Sequence, residues 1–340
     1  MNEAGELGAS MKRILKWTFG LLLVALLGLF AFGYTADTDA AAMRAKYASP
    51  ASQFVDLGGG VKMHVRDEGK RDGPVLVLLH GSNASLHTWE PWVERLKSKY
   101  RIISLDQIGH GLTGPNPTGQ YDNLAFVGTL NTALAKIGVS RFALAGNSMG
   151  GWVAWEYALA YPDKLTHLIL IDAAGPPDDP NKKLPIGFRL ARMPGVSKLA
   201  QVITPRSLFE KSLRGSVSNQ AIVTPEMVDR YWELNRYPGN RGATLARFAQ
   251  FAGRNRNADQ VSQIAVPTLI LWGAEDKLIP ASGADWFAAR IPGSVKIVYP
   301  GIGHIPMEEA PDRSAADLDA FLSSPFPSAA KQPSIAPVKP

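Results

Sequence analysis

The sequence predicts an α/β protein built on one doubly wound, mostly parallel sheet. Three observations lead there. From residue 52 onward, short β-rich runs alternate with helical stretches. The later runs are continuous apolar segments, as strands covered on both faces require. One interval of more than ninety residues, between Ile171 and Val266, has no strand pattern. With 340 residues, 46% of them hydrophobic and 19% charged, the chain can bury a large core. It has no cysteine, which excludes disulfides, thiolate metal sites and a cysteine nucleophile.

The elements follow in order. Residues 1–13 read as a cytoplasmic N-terminus, and residues 14–34 (ILKWTFGLLLVALLGLFAFGY) as a transmembrane anchor. Its eighteen uncharged residues from Trp17 to Tyr34 would span about 27 Å as a helix, close to a bilayer core. Lys12, Arg13 and Lys16 precede the run while Asp37 and Asp39 follow it. The positive-inside rule therefore places the N-terminus in the cytoplasm and the remainder on the periplasmic or extracytoplasmic side. A cleaved signal peptide is the alternative, since Ala31-Phe32-Gly33 offers a small-x-small site, although such an apolar region usually runs about 7 to 15 residues. Residues 35–51 are small and polar and read as a tether. Residues 323–340, with five prolines, read as a solvated, disordered tail.

Eight strands are expected at QFVDL, VKMHV, PVLVLLH, RIISLD, RFALAG, THLILID, PTLILWG and VKIVYP, with helices such as Leu124 to Gly138 and Gly283 to Ile291 between them. Residues 52–175 and 258–322 would form the core. The strandless interval, 176–257, carries helical patterns at Pro185 to Ile203, Thr224 to Arg236 and Arg241 to Gly253, and is expected to form a helical cap after the sixth strand. It contains fourteen Lys and Arg against six Asp and Glu, an excess larger than the whole chain's net +6. A solvated helix face accounts for this basic excess, and attraction to an anionic surface is the competing reading. No recognised nucleic-acid module accompanies the charge.

The chemistry centres on LAGNSMGG at 144–151, where Ser148 stands between two glycines after an apolar run and before a helix that Pro162 stops. Glycines permit the tight strand-to-helix turn that exposes a nucleophilic serine. A serine hydroxyl needs a base, and the base an orienting partner. Of six histidines, His304 lies in a loop (PGIGHIPMEEAP) after the last strand and is the expected base. His64 and His167 sit in strands and read as structural, as does the ring of His80. Asp276, in LILWGAEDKLIP, is the expected third member, with Asp172 after the preceding strand held in reserve. The order Ser148, Asp276, His304 is that of the α/β-hydrolase triad. The competing reading of Asp276 is a cap for the following helix, a use that would not easily coexist with holding His304. Oxyanion donors are expected from the backbone N–H groups of Met149, next after the nucleophile, and Ser82, after His80-Gly81.

HGSNAS at 80–85, DQIGHG at 106–111, GNSMGG at 146–151, GAEDKLIP at 273–280 and GIGHIPMEEAP at 301–311 together resemble the motif series of the α/β-hydrolase superfamily over about residues 52–322. GNSMGG and GHIPMEE are similar to those of microbial lipases and esterases, and GNSMGG also resembles the carbon-carbon bond hydrolases of ring-fission products. Two departures stand against the latter. Ser82-Asn83-Ala84 replaces a glycine-rich stretch after HG, and Ile305-Pro306-Met307 replaces a tryptophan soon after the catalytic histidine. Haloalkane dehalogenases and epoxide hydrolases carry aspartate at the elbow, where this chain has Ser148.

The resemblance implies a serine hydrolase of carboxylic esters that needs no metal or organic cofactor, carried here on the membrane anchor expected at residues 14–34. A carbon-carbon hydrolase of vinylogous diketones and a cofactor-free perhydrolase are the alternatives. A non-catalytic scaffold would be expected to have lost a triad member. Cap residues Phe188, Met193, Phe209, Met227, Tyr231, Trp232, Phe248 and Phe251 would offer apolar lining to an apolar ester, though most apolar residues of a helix pack on its neighbours.

Overall fold

The computed structural model describes residues 3–176, 201–250 and 254–324, without the side chains at 3–10, 26, 29, 31, 32 and 254–256. All eight expected strands form one sheet: β1 (Ser52–Gly58), β2 (Val61–Gly69), β3 (Val75–Leu79), β4 (Arg101–Leu105), β5 (Phe142–Asn147), β6 (Leu165–Ile171), β7 (Thr268–Gly273) and β8 (Val295–Tyr299). Their order is β1-β2-β4-β3-β5-β6-β7-β8, with β1/β2 and β2/β4 antiparallel and every later pair parallel.

The continuous apolar runs have a direct physical cause. In β3, Val77 and Leu79 enter one buried cluster while Leu76 and Leu78 enter another on the opposite face. The same alternation holds in β6, with Leu168 and Leu170 against Ile169 and Ile171, and in β7, with Ile270 and Trp272 against Leu269 and Leu271. One face is covered by α4 (Asn123–Lys136), α5 (Met149–Ala160) and α9 (Ser282–Ala288). The other is covered by α3 (Glu90–Leu96), the short α10 (Pro306–Glu309) and α11 (Pro311–Ser323). Burying each such Leu, Ile or Val contributes about 1.5–3 kcal/mol, so a two-faced strand leaves little room for polar residues.

Caps delimit the helices. Asp122 accepts a hydrogen bond from Ala125 N at 2.9 Å to start α4, and Gly138, at φ +71°, follows its end. After β4 the chain crosses to the other side of β3 to form β5. The carboxyl ends of β3 and β5 therefore flank a topological switch point, where open α/β sheets bind ligands.

Within the described part of the interval after β6 lie α6 (Arg206–Ser216), α7 (Pro225–Asn235) and α8 (Asn240–Gln250). The helix at Arg206–Ser216 is additional to the sequence expectation, and most of the one expected at Pro185 to Ile203 falls outside the described residues. So does most of the expected tail, since α11 runs to Ser323 and residues 325–340 are not among those described. The basic excess of the cap is not simply a solvated face. Arg241 and Arg247 are buried, and Arg230 pairs with Glu308 at 3.2 Å.

The N-terminal region departs further from expectation. Helix α1 (Glu3–Gly33) covers the proposed anchor, yet among the described residues no helix is long and apolar enough to cross a membrane. The expected transmembrane span is therefore not supported there. Residues 35–51, expected as a loose tether, form a docked arm. Its helix α2 (Ala40–Tyr47) is capped by Asp39, which accepts from Ala42 N at 2.7 Å, and buries Met43 and Tyr47 against Leu112, Leu234 and Tyr237. Arg241 of α8 donates to Asp37 at 2.6 Å and to the Thr35 carbonyl at 2.7 Å. The composition reads as a linker because only two of the eight helical residues are buried.

Beneath this arm, Arg66 donates to the Tyr47 carbonyl at 2.9 Å and to His87 Nε2 at 2.9 Å. His87 Nε2 also lies 3.0 Å from the Tyr47 carbonyl, and Nδ1 lies 3.0 Å from Ser85 Oγ. Burial, reinforced by the Arg66 charge, pushes His87 down from 6.5 to about 4. The unfolded chain thus binds more protons between those values, and the contribution of neutral His87 to stability is lost as pH falls from about 6.5 towards 4. We expect the melting temperature to drop over this window, and the drop to be smaller in His87→Gln. An identical pH profile in the variant would show that the arm does not rest on neutral His87.

Candidate active site

Strand β5 runs directly into α5 through Ser148, whose φ of +54° and ψ of −116° mark a sharp, strained turn. The turn needs its glycines for space. A Cβ on Gly146 would lie 2.1 Å from Gly150 O, and one on Gly150 would lie 2.1 Å from Leu79 O. Backbone bonds fix the turn: Ser148 N donates to Ile171 O at 3.0 Å, and Ala174 N donates to Ser148 O at 2.9 Å. The serine side of the turn is half-buried at the carboxyl edge of the sheet.

His304 follows β8 and is buried, at 5% exposure. Its Nδ1 lies 2.7 Å from Asp276 Oδ2. A carboxylate accepts only, so Nδ1–H donates and Nε2 keeps its lone pair, the tautomer a general base requires. The backbone of this loop is anchored twice. His304 N donates to Ser216 O of α6 at 2.8 Å, and Asn147 Nδ2 donates to His304 O at 3.0 Å. Asn147 immediately precedes Ser148, so the elbow and the histidine loop are tied together one residue from the hydroxyl. No hydrogen bond joins Ser148 Oγ to the imidazole among the described residues, and such bonds commonly tighten only when substrate binds.

Asp276 serves two purposes at once, contrary to expectation. Oδ1 accepts from Leu278 N at 2.7 Å and Ile279 N at 3.0 Å, while Oδ2 holds His304. A carboxylate has lone pairs enough for both, and the amides it accepts from belong to a turn that precedes α9. Asp172 is fully buried beside it and accepts from Gly273 N at 2.9 Å. Burial, and then the charge of Asp276, raise the Asp172 carboxyl well above its ordinary value, so its charged form is disfavoured. Asp172, Asp276 and His304 place ligand atoms within 4.8 Å of one another, a grouping that could hold a cation. The His304–Asp276 separation of 2.7 Å is that of a hydrogen bond, so we treat the three as a proton-holding group.

The loop after β3 packs against the elbow. A Cβ on Gly81 would lie 3.2 Å from Ser148 Cβ, which places Ser82 next to the nucleophile turn, while Met149 opens α5. His80 acts structurally. Its Nε2 accepts from Gln107 N at 3.1 Å, so Nδ1–H donates to Gly81 O at 2.7 Å, and burial keeps the ring neutral.

A second Ser-His-Asp alignment exists. Ser52 Oγ lies 2.8 Å from His64 Nε2, and His64 Nδ1 lies 2.7 Å from Asp106 Oδ2. Asp106 also accepts from Leu86 N and Leu112 N, both at 2.8 Å, and Ser52 opens an ordinary edge strand. This group staples β1, β2 and the loop after β4, the structural role expected of His64. His167 likewise packs on Phe321, with ring centroids 5.4 Å apart.

The cap's apolar residues turn mainly towards their neighbours. Met227, Phe209 and Tyr231 pack into the core cluster, whereas Phe188, Met193 and Phe251 lie outside the described residues. Three features were missed from sequence: Asn147 as a tie to His304, buried Arg247 in α8, and Glu309. The last accepts from Gly303 N at 2.7 Å and Ser218 N at 2.8 Å, joining the histidine loop to the cap.

The model of the alpha/beta hydrolase fold family matches residues 74–311, which include the elbow, Asp276 and His304. The chain belongs to the α/β hydrolase family. Among its relatives, this α/β hydrolase is 26% identical to Lipase 1 of Psychrobacter immobilis, covering 78% of this chain and 82% of the relative. It is 25% identical to the 2-hydroxy-6-oxononadienedioate/2-hydroxy-6-oxononatrienedioate hydrolase of Comamonas testosteroni, covering 75% and 91%. The solved structure of a membrane phospholipase A, described as a bacterial virulence factor, superposes with a TM-score of 0.64 at 25% identity, covering 94% of this chain and 98% of that one. Hydrolases of esters and of carbon-carbon bonds thus both stand among the proteins that this α/β hydrolase resembles.

Proposed function

We propose that this α/β hydrolase is a serine hydrolase of carboxylic esters, with Ser148 as nucleophile, His304 as general base and Asp276 as its orienting partner. The observation that carries the reading is the 2.7 Å bond between His304 Nδ1 and Asp276 Oδ2, on a loop whose backbone Asn147 ties to the elbow. In this reading Ser148 Oγ attacks the acyl carbon as His304 Nε2 takes its proton. The N–H groups of Ser82 and Met149 receive the oxyanion. His304 returns the proton to the leaving alcohol, and water activated by the same ring releases the acid. The likeness to Lipase 1 and to the membrane phospholipase A supports esters, as does Ser82-Asn83-Ala84 after the first glycine. Parallel assay of aryl esters, lactones and a vinylogous diketone tests the choice. Turnover confined to the diketone would move the enzyme to carbon-carbon cleavage.

The proposal extends to attachment at a membrane through α1, with the catalytic part on the extracytoplasmic side and an apolar ester as substrate. Ile14, Leu15, Trp17, Phe19, Leu21 and Val24 each stand more than 60% exposed along this helix, an apolar surface that water alone does not stabilise. Removing residues 1–34 should abolish flotation with lipid vesicles while hydrolysis of a soluble aryl ester persists. Undiminished flotation of the truncated protein would assign the attachment elsewhere.

A further inference from the structure

Arg247 in α8 is fully buried, yet it has no carboxylate partner among the described residues. Its Nη2 donates to Asn83 Oδ1 at 2.8 Å and to Ser82 Oγ at 3.1 Å, with Thr244 Oγ1 at 3.4 Å. Nη1 lies 3.4 Å from His110 Nδ1, and Nε has no partner. Desolvation lowers Arg247 from 12.5 to about 9, so the guanidinium is still charged at pH 7. Burying a cation among neutral dipoles is costly, and a leucine or methionine would fill the same space without that cost. The position therefore calls for a reason other than packing.

The reason lies in what Arg247 holds. Ser82 and Asn83 form the turn after Gly81, which packs on Ser148. Asn83 adopts φ +59°, the left-handed region unfavourable to a residue with a Cβ, and its side chain is gripped by both Arg247 and Thr244, the latter at 3.2 Å. One helix of the cap thus fixes the conformation of the loop expected to offer the Ser82 N–H.

We propose that Arg247 is a positioning residue for acyl transfer: from the cap it holds the Ser82–Asn83 turn in its donating geometry, and its unbalanced charge is complemented only when the substrate carbonyl becomes an oxyanion. This rests on the Ser148 reading above. Arg247 acts through Ser82 and Asn83 rather than by touching the reacting atoms. A field fixed in advance of the reaction stabilises the transition state more than the ground state, so its loss appears in kcat.

The test compares the full chain with Arg247→Met, Arg247→Lys, Asn83→Gly and Ser148→Ala. The readouts are melting temperature, kcat and KM on a neutral aryl ester, inhibition by an aryl trifluoromethyl ketone, and fluorophosphonate labelling. Arg247→Met is expected to lower kcat by about 10²- to 10³-fold, the effect of losing one oxyanion donor, with KM within about threefold. The ketone, which forms an oxyanion on the enzyme, should lose affinity by a similar factor. Arg247→Lys keeps the charge but not the fork and should recover part of the loss. Asn83→Gly tolerates the backbone angle yet lacks the bond to Arg247, so it carries the test if Arg247→Met does not fold. Unchanged kcat and ketone affinity in folded Arg247→Lys and Asn83→Gly, or a change in KM alone, would overturn the inference while labelling at Ser148 persists. Absence of Ser148-dependent labelling in the unaltered chain would instead overturn the nucleophile assignment, and this inference with it.

Discussion

Ser148→Ala is expected to lower ester turnover by roughly 10⁴- to 10⁶-fold and to abolish fluorophosphonate labelling, with no loss of melting temperature. The size follows from the division of labour. Without a nucleophile, the base and its carboxylate have nothing to activate, and only binding and the oxyanion donors remain to accelerate attack by water. Stability should hold because the turn is built by backbone bonds, Ser148 N to Ile171 O and Ala174 N to Ser148 O, which alanine retains. The strained φ of +54° is already present in the folded chain, and alanine carries the same Cβ as serine. Full labelling of the alanine variant would move the nucleophile to another residue.

The second large effect is expected at Asp276. Replacement by asparagine keeps the acceptor that Leu278 N and Ile279 N use, but removes the charge facing His304 Nδ1 and permits the wrong tautomer. A loss of about 10⁴-fold in kcat is the known scale for that change in a serine triad. Asp172→Asn provides the control. Burial and the charge of Asp276 disfavour the ionised form of Asp172, and His304 Nδ1 is bonded to Asp276 instead, so the asparagine variant should turn over esters within about threefold of the parent. Stability should rise at neutral pH. An acid whose pKa is raised on folding stabilises the native state at low pH and loses that contribution as pH climbs, and asparagine has no proton to lose. Kinetic constants for the two variants side by side decide between the carboxylates. A collapse in Asp172→Asn with activity retained in Asp276→Asn would reverse the assignment.

Much of this architecture is legible in the sequence because parallel strands leave an unmistakable trace. β3, β6 and β7 feed alternate residues to two separate cores, so VLVLL, LTHLILI and TLILWG are almost uninterrupted apolar runs. The elbow is legible because sterics dictate it, since Gly146 and Gly150 stand where any Cβ would meet backbone. The arm at 35–51 is not legible. Its helix buries only Met43 and Tyr47, and its other ties are single polar contacts to residues some two hundred positions away, such as Arg241 with Asp37. Arg247 is hidden for a related reason. An arginine in an amphipathic helix reads as solvent-facing, and only the fold brings Ser82 and Asn83 to it across more than 160 residues. The double use of Asp276 was also beyond sequence reasoning, which assigns a side chain one partner although a carboxylate has room for several.

Ser148, His304 and Asp276 are expected to meet over one acyl carbon at the edge of the sheet. A crystal structure of the full chain after reaction with an aryl phosphonate tests this meeting. Phosphorus is expected bonded to Ser148 Oγ, with His304 Nε2 within hydrogen-bond distance of the leaving-group side and the phosphonyl oxygen between the N–H groups of Ser82 and Met149. Phosphorus on another residue, or an imidazole of His304 out of reach of the adduct, would contradict it.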